Sequence, residues 1–292
     1  MRNMKIAALT LLLMGLVSSC KLANLSTEAI DKESVSREEK AIQLLEKTIK
    51  AHNFQALANA ETYSYKVKDN WKGPMVLMNP FPKDNEWMEM RFRPATFDAQ
   101  MQYLDTRNKD RVYGLQSLKY YLMDGDEQVE FKKKPKMEFS IPAVQYLFEL
   151  PLRLINAPIL KYAGKKMWEG VEYDLVFATW ESIDPNDTYD QYLLYLHPET
   201  YELAFASYTV RAIYLPAPKG IYGSIRYENV QEGPEGFRYP ATLYVQLNKL
   251  KGNKKWAHKM ELKDLEFNSF DKSVLYPNAE LPFIGDAKTS ND

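Results

Sequence analysis

The sequence predicts a mainly β protein with some α structure, built on one strongly curved antiparallel sheet, and three observations carry that reading. Past residue 60, apolar and polar residues alternate with a period of two in run after run, the mark of strands with one buried and one wet face. Short turn segments join the runs, with no regular alternation of strand and helix, so the sheet is a barrel or strongly bent rather than parallel. Composition agrees: 20 tyrosines within an aromatic content of 13% suit half-buried pleated surfaces. A hydrophobic content of 45% over 292 residues supports a substantial core. The formal net charge of −1, with no long basic block, argues against a nucleic-acid partner.

The chain opens on Arg2 and Lys5, then an uncharged apolar run over residues 6–17, then Ser18 and Ser19 before Cys20. A charged head, a short apolar stretch and a small-residue cleavage site make a secretory signal, assigned to residues 1–19. The apolar run falls well short of the roughly 20 residues that a membrane-spanning helix needs. Val17, Ser18, Ser19 and Cys20 resemble the bacterial lipobox, and the resemblance implies cleavage before Cys20 and attachment of membrane lipid to its thiol. Cys20 is the sole cysteine, so it has no disulfide to serve. A thiolate is also the nucleophile that thioether formation requires. Lys21 stands where an aspartate would imply retention in the inner membrane. Similarity to that sorting rule implies an outer-membrane protein facing the periplasm. Residues 20–35 read as the lipidated N-terminus and a polar tether.

The elements follow in order. Ser36, with Glu39 three residues on, is a capping-box pattern. Ile42, Leu45 and Ile49 recur at helical spacing opposite Lys40, Glu46, Lys47 and Lys50, predicting one amphipathic helix that ends near His52 and Asn53. Strands come next. Tyr63, Tyr65 and Val67 alternate with Ser64, Lys66 and Lys68; Met88, Met90 and Phe92 with Glu89, Arg91 and Arg93. Phe97, Ala99, Met101 and Tyr103 alternate with Asp98, Gln100 and Gln102. Residues 142–154 break the pattern and predict one or two short helices, with Pro142 as a first-turn proline and Pro151 as a stop or kink. In the second run of strands Tyr173, Leu175, Phe177 and Thr179 alternate along residues 171–180. Further strands cover 190–196, 201–214, 221–230, 237–247 and 256–262, before a proline-spaced tail. The total is roughly ten or eleven strands, in a single domain over residues 36–283, with a polar tail over 284–292.

Tyr189, Asp190, Gln191, Tyr192, Leu193, Leu194, Tyr195 and Leu196, followed by Pro198, Glu199 and Thr200, make a strand, an acidic turn and the approach to another strand. Ile225, Arg226, Tyr227, Glu228, Asn229 and Val230 run into Gly233 and Gly236, and Phe237, Arg238, Tyr239 and Pro240 lead the next strand. In this order the pieces resemble the lipoprotein-localisation-factor superfamily, the LolA/LolB-like half-barrel. The whole chain resembles a functionally unassigned lipoprotein family of Bacteroidota. The resemblance implies a half-barrel whose concave face is plugged by the short helices over 142–154, and the helix over 36–52 fits it.

Chemical motifs are sparse. His52, His197 and His258 share no paired spacing suited to zinc. Glycine-rich phosphate loops, Gly-x-Ser-x-Gly, and Ser-x-x-Lys with its companion motifs are absent. Asp184, Asn186, Asp187 and Asp190 offer oxygens, but without the glycine and closing glutamate of a calcium loop they read as an ordinary loop. Glu169, Glu172 and Asp174 are the carboxylates to consider for glycoside hydrolysis, which needs a pair at a set separation. Lys132, Lys133, Lys134 and Lys136 read as a solvated loop. No metal or cofactor is implied.

What remains is binding. A curved sheet with one apolar face can enclose a greasy ligand. The candidate cavity lining is Tyr63, Tyr65, Val67, Met88, Met90, Phe92, Met101, Tyr103, Tyr173, Leu175 and Phe177, methionine being adaptable. Alternation is the same for a filled and a hollow interior, so both stay open. The sequence therefore reads as a membrane-anchored envelope lipoprotein, not an enzyme, that binds or carries a lipid, acyl chain or other apolar ligand. Its partners would be membrane lipid through Cys20 and an apolar ligand or lipoprotein acyl chain. The rivals are an envelope hydrolase acting on glycans or esters, and an interaction scaffold marked by a filled interior and a large exposed apolar patch.

Overall fold

The helical spacing near the N-terminus folds as α1, Glu39–His52, with Ala41, Leu44, Leu45, Thr48 and His52 turned inward. In this computed structural model, which describes residues 22–33, 36–104, 110–125, 129–211, 219–250 and 255–285, α1 begins later than the capping-box pattern implies. Arg37 forms a parallel bridge with Leu160. The Glu38 carboxylate accepts from the Tyr162 N–H at 3.0 Å and pairs with Lys161 at 3.2 Å. The chain is still strand-like there, so the N-cap falls on Glu38, with no side-chain cap. At the far end Asn53 adopts a left-handed conformation (φ 52°, ψ 45°), which asparagine tolerates. The chain then turns into α2, Phe54–Asn59, a helix too short to leave a periodic signal.

Among the described residues thirteen strands follow. The first run is β1 Tyr63–Trp71, β2 Trp87–Phe92, β3 Ala99–Tyr103, β4 Arg111–Gln116, β5 Lys119–Asp124 and β6 Glu130–Phe131. The second is β7 Ile159–Trp168, β8 Val171–Thr179, β9 Tyr192–Leu196, β10 Leu203–Tyr208, β11 Gly223–Glu232, β12 Arg238–Leu247 and β13 His258–Phe267. They form one curved, unclosed antiparallel sheet in the order β6-β5-β4-β3-β2-β1-β13-β12-β11-β10-β9-β8-β7. Two meanders are thus sealed by pairing of the first strand with the last, Tyr63 opposite Phe267 and Trp71 opposite His258. β4 to β7 are additions to the strands read from sequence. In β4 and β5 the alternation is blurred because Gly114 sits beneath the Tyr121 ring, where a Cβ would lie 1.9 Å from it. β7 is interrupted by a bulge between Tyr162 and Lys165.

Between the runs lie α3, Pro135–Phe148, and α4, Leu150–Leu154. The first-turn proline of α3 is Pro135, and Pro142 sits buried inside the helix. The helix therefore starts earlier than expected, and Pro135 and Lys136 of the basic cluster belong to its first turn rather than to a solvated loop. The four α-helices among the described residues pack on the inner face of the sheet, where the main core forms. A second cluster lies on the outer face of β7 to β10. Within β8 the two faces separate cleanly: Val176 and Ala178 join the inner core, while Tyr173, Leu175 and Phe177 join the outer cluster.

The outer cluster is covered by residues 22–33, which were expected to be a tether. Leu25 and Ile30 are buried against Tyr173, Leu175 and Phe177. The Leu25 N–H donates to Gln191 Oε1 at 2.8 Å, and Thr27 Oγ1 donates to the Ala163 carbonyl at 2.8 Å. This stretch is a strap, held by two isolated apolar residues that give no periodicity. The C-terminal segment is likewise drawn in: Phe97 N–H donates to the Ile284 carbonyl at 2.8 Å, and Thr96 bridges Gly285. The polar tail expected from residue 284 is therefore still paired at its start. Among the described residues no helix is long and apolar enough to cross a membrane.

Candidate functional site

α3 crosses the inner face without filling it, and a cavity opens on each flank. The first, of about 380 Å³, lies between α3, the ends of β10 to β13 and the segment after β1. Its walls include Trp71, Met75, Met78, Phe81, Phe139, Ala143, Leu147, Tyr208, Val245, Leu247 and Met260. The cavity exists because the facing residues are small here: Ser140 and Ala143 on α3, and Gly223 on β11. Gly223 also holds Tyr208 in place, since a Cβ there would come within 2.5 Å of that ring. The second cavity, about 460 Å³, takes in Phe97, Leu118, Pro142, Tyr146, Trp180, Asp190 and Tyr192. Phe139, Ala143, Leu147, Tyr208 and Val210 border both.

Polar groups at the first cavity are few. No Asp or Glu is among its described lining residues, and Arg211, Lys219 and His258 are its nitrogen bases. His258 stacks flat on Trp71, with ring centroids 3.8 Å apart. Asp69 orients both rings, accepting from Trp71 Nε1 at 2.6 Å and bonding His258 Nε2. In the second cavity Asp190 accepts from Thr209 Oγ1 at 3.0 Å and from the Arg211 N–H at 2.8 Å. Burial raises its carboxyl above the usual aspartate value, opposed by those two bonds.

The inner-face residues named from sequence lie elsewhere. Tyr63, Tyr65, Val67, Met88, Met90, Phe92, Met101 and Tyr103 are brought together, each at most 1% exposed, but line neither cavity. They belong to the packed main core, with Tyr63 and Tyr65 against Phe148 at the α3–α4 junction. Tyr63 stacks on Phe92 at 5.1 Å, and Tyr65 packs on Phe148 at 5.1 Å. A polar lock draws the junction down: Glu149 accepts from Tyr63 Oη at 2.7 Å, Gln145 Nε2 at 2.9 Å and Ala95 N–H at 3.1 Å. Tyr173, Leu175 and Phe177 face the other way and are sealed under the strap, so they too line neither cavity. Cys20, the signal segment 1–19, Lys21 and residues 286–292 lie outside the described residues.

Sequence reasoning missed the segment after β1 as a wall, because Met75, Met78 and Phe81 sit in a 3₁₀ turn and loop with no regular period. His258 and Met260 did stand in an alternating strand, which could have marked them. The other chemical residues are dispersed. His52 Nδ1 donates to the Arg238 carbonyl at 2.7 Å while Nε2 accepts from the Leu203 N–H at 3.0 Å, stapling α1 to the sheet. Glu172 pairs with Lys165 at 3.1 Å, and Asp174 accepts from Tyr162 Oη at 3.0 Å. In the acidic loop Asn186 Oδ1 accepts from the Thr188 and Tyr189 N–H groups, and Asp184 and Asp187 pair with Lys32 and Lys219.

This architecture is that of a half-barrel with helices on its inner face. No family model and no curated protein matches the chain. Among solved structures it is similar to a DUF1329 family protein from Desulfovibrio piger, with a TM-score of 0.50 at 10% identity, covering 84% of this chain and 98% of that one. It is also similar to a LolA superfamily protein from Nitrosomonas europaea (TM-score 0.46, 12% identity, 80% and 96% covered). A third is a domain described as that of an outer membrane lipoprotein-sorting protein from Vibrio parahaemolyticus (TM-score 0.49, 9% identity, 79% and 97% covered). At such identities the likeness concerns the fold alone, a curved, unclosed antiparallel sheet with few helices, which is the fold class that the sequence predicted.

Proposed function

We propose that this chain is a lipid-anchored envelope protein that binds an acyl chain or similar apolar molecule in the cavity beside α3, without catalysing a reaction on it. The observation that carries the reading is the cavity itself: about 380 Å³, walled by methionine, aromatic and aliphatic side chains. A few hundred cubic ångströms of mostly apolar wall with few polar groups is the usual form of a small-molecule site. Each methylene moved from water into such a wall gains about 0.8 kcal/mol, and methionine adapts to chains of different shape. The Asp69 carboxylate is engaged by Trp71 and His258, which supports a binding role for the site.

Displacement of a fluorescent polyunsaturated fatty acid from the chain expressed from residue 21, with native mass spectrometry on the same sample, tests the cavity. Saturable binding of one apolar molecule is expected; a chain that takes up none overturns the reading. The anchor is proposed at Cys20, in the outer membrane facing the periplasm. Metabolic labelling with an alkynyl fatty acid should mark the wild type and not Cys20→Ala. Density-gradient fractionation should place the label with outer-membrane markers.

A further inference from the structure

We infer that the rim bearing the mouth of the first cavity is the face this protein lays against an anionic lipid bilayer, so that the cavity opens toward the membrane; this rests on the anchor and binding reading above. The rim is defined by strand register. Trp71 pairs with His258, His258 with Val245, Leu247 with Gly223, and Gly223 with Tyr208, so these cavity residues all lie at one end of their strands.

The strap enters the fold at this same rim. Ala23 N–H donates to the Lys219 carbonyl at 2.9 Å, and Arg211 Nη2 donates to the Ala23 carbonyl at 2.8 Å. Both partners of Ala23 are cavity-lining residues. Ala23 is three chain steps from Cys20, with Lys21 and Leu22 between them, a reach of at most ~11 Å. That is little more than the headgroup layer on one side of a bilayer, about 5–8 Å. An acylated Cys20 therefore holds the mouth within that reach of the lipid surface, because the strap is bound to the rim from Ala23 on.

Charge and apolar exposure at the mouth agree. Arg211 gives its Nη groups to backbone carbonyls, Lys219 at 3.1 Å and Ala23, and so keeps its charge at the rim. Lys219 pairs with the exposed Asp187 at 2.5 Å, and the Arg211 N–H donates to Asp190 at 2.8 Å, so the positive charge of the mouth is partly offset. Val76 and Leu77, in the 3₁₀ segment Gly73–Met78 whose Met75 and Met78 wall the cavity, are 50% and 77% exposed. Cations beside exposed aliphatic side chains suit the headgroup boundary of an anionic leaflet.

The test uses the full chain, acylated in cells and reconstituted into phosphatidylethanolamine–phosphatidylglycerol vesicles carrying a nitroxide-labelled lipid. An environment-sensitive fluorophore is placed by Leu77→Cys at the mouth, or by Lys119→Cys at the opposite rim. Both sites are exposed, and circular dichroism checks that the fold is kept. Several-fold stronger quenching at position 77 than at 119 is expected. Equal or reversed quenching overturns the inference, as does shielding of position 77 without vesicles, which would mark a second copy as the occupant. The mass of the N-terminal peptide reads the anchor separately. An unacylated chain sinks the anchor reading, and the inference falls with it unless position 77 is still quenched. Failure to bind the fatty-acid probe sinks the binding reading alone and leaves the quenching pattern as evidence for the orientation.

Discussion

Arg153 donates from Nε to the Glu149 carboxylate at 2.8 Å, and both side chains are at most 1% exposed. Arg153 also reaches the Thr96 carbonyl at 2.5 Å, so the pair ties the α3–α4 junction to the β2–β3 loop as well as to β1 through Tyr63. Burial first, and the Glu149 charge second, push the Tyr63 hydroxyl well above its ordinary value, which keeps it a donor. Losing one partner of a buried ion pair leaves an uncompensated charge and costs about 3–5 kcal/mol. Arg153→Met should therefore lower the urea midpoint strongly. Glu149→Leu combined with Arg153→Met should regain only part of the loss, because the fully buried Tyr63 hydroxyl would lose its acceptor, at about 1–3 kcal/mol.

Ala143 borders both cavities from the middle of α3. Ala143→Trp should fill that space from an existing helix position and abolish binding of a fatty-acid probe. A competing loss of structure would show as a changed far-ultraviolet circular dichroism spectrum. Binding that survives with unchanged affinity would mean the ligand sits elsewhere.

His52 ties pH to stability. Burial lowers its pKa from the ordinary 6.5, outweighing the bond to the Arg238 carbonyl and the Glu202 charge, which act the other way. The fold accepts the neutral ring, whose Nε2 takes the Leu203 N–H. As pH falls through 6.5 the unfolded chain takes up a proton before the folded one does, so stability drops below pH 6.5 and is fully present above it. The melting temperature of the wild type should fall between pH 7 and pH 5 more steeply than that of His52→Gln. Parallel slopes would show that His52 does not couple protonation to folding.

The strap is predicted to open locally. Leu25→Ala removes a buried side chain at a site where such changes reach about 2–5 kcal/mol, but only the segment over 22–33 depends on it. Hydrogen exchange should quicken in that segment while β1, β2 and β13 stay protected. A dye that fluoresces on apolar surface should then report the uncovered Tyr173, Leu175 and Phe177.

Much of the sheet was legible because alternation is a local property. Tyr63, Tyr65 and Val67 announce a strand and a buried face whatever lies opposite, and the same holds for Met88, Met90 and Phe92. Which face is buried by what is not local. Tyr173, Leu175 and Phe177 carry the same pattern as Tyr63 and Tyr65, yet they sit under the strap, while Val176 and Ala178 between them face the helices. A period of two names two faces and cannot say which one turns inward.

By itself the sequence determined a mainly β chain with an N-terminal helix and a helical interruption in the middle. Only the tertiary structure decided that the interior is packed at the α3–α4 junction and hollow beside Ala143. The physical reason is that a void is a relation between elements distant in sequence. Ser140 and Ala143 leave room only because Gly223, Val245 and Met260 stand opposite them, and no single segment encodes that meeting.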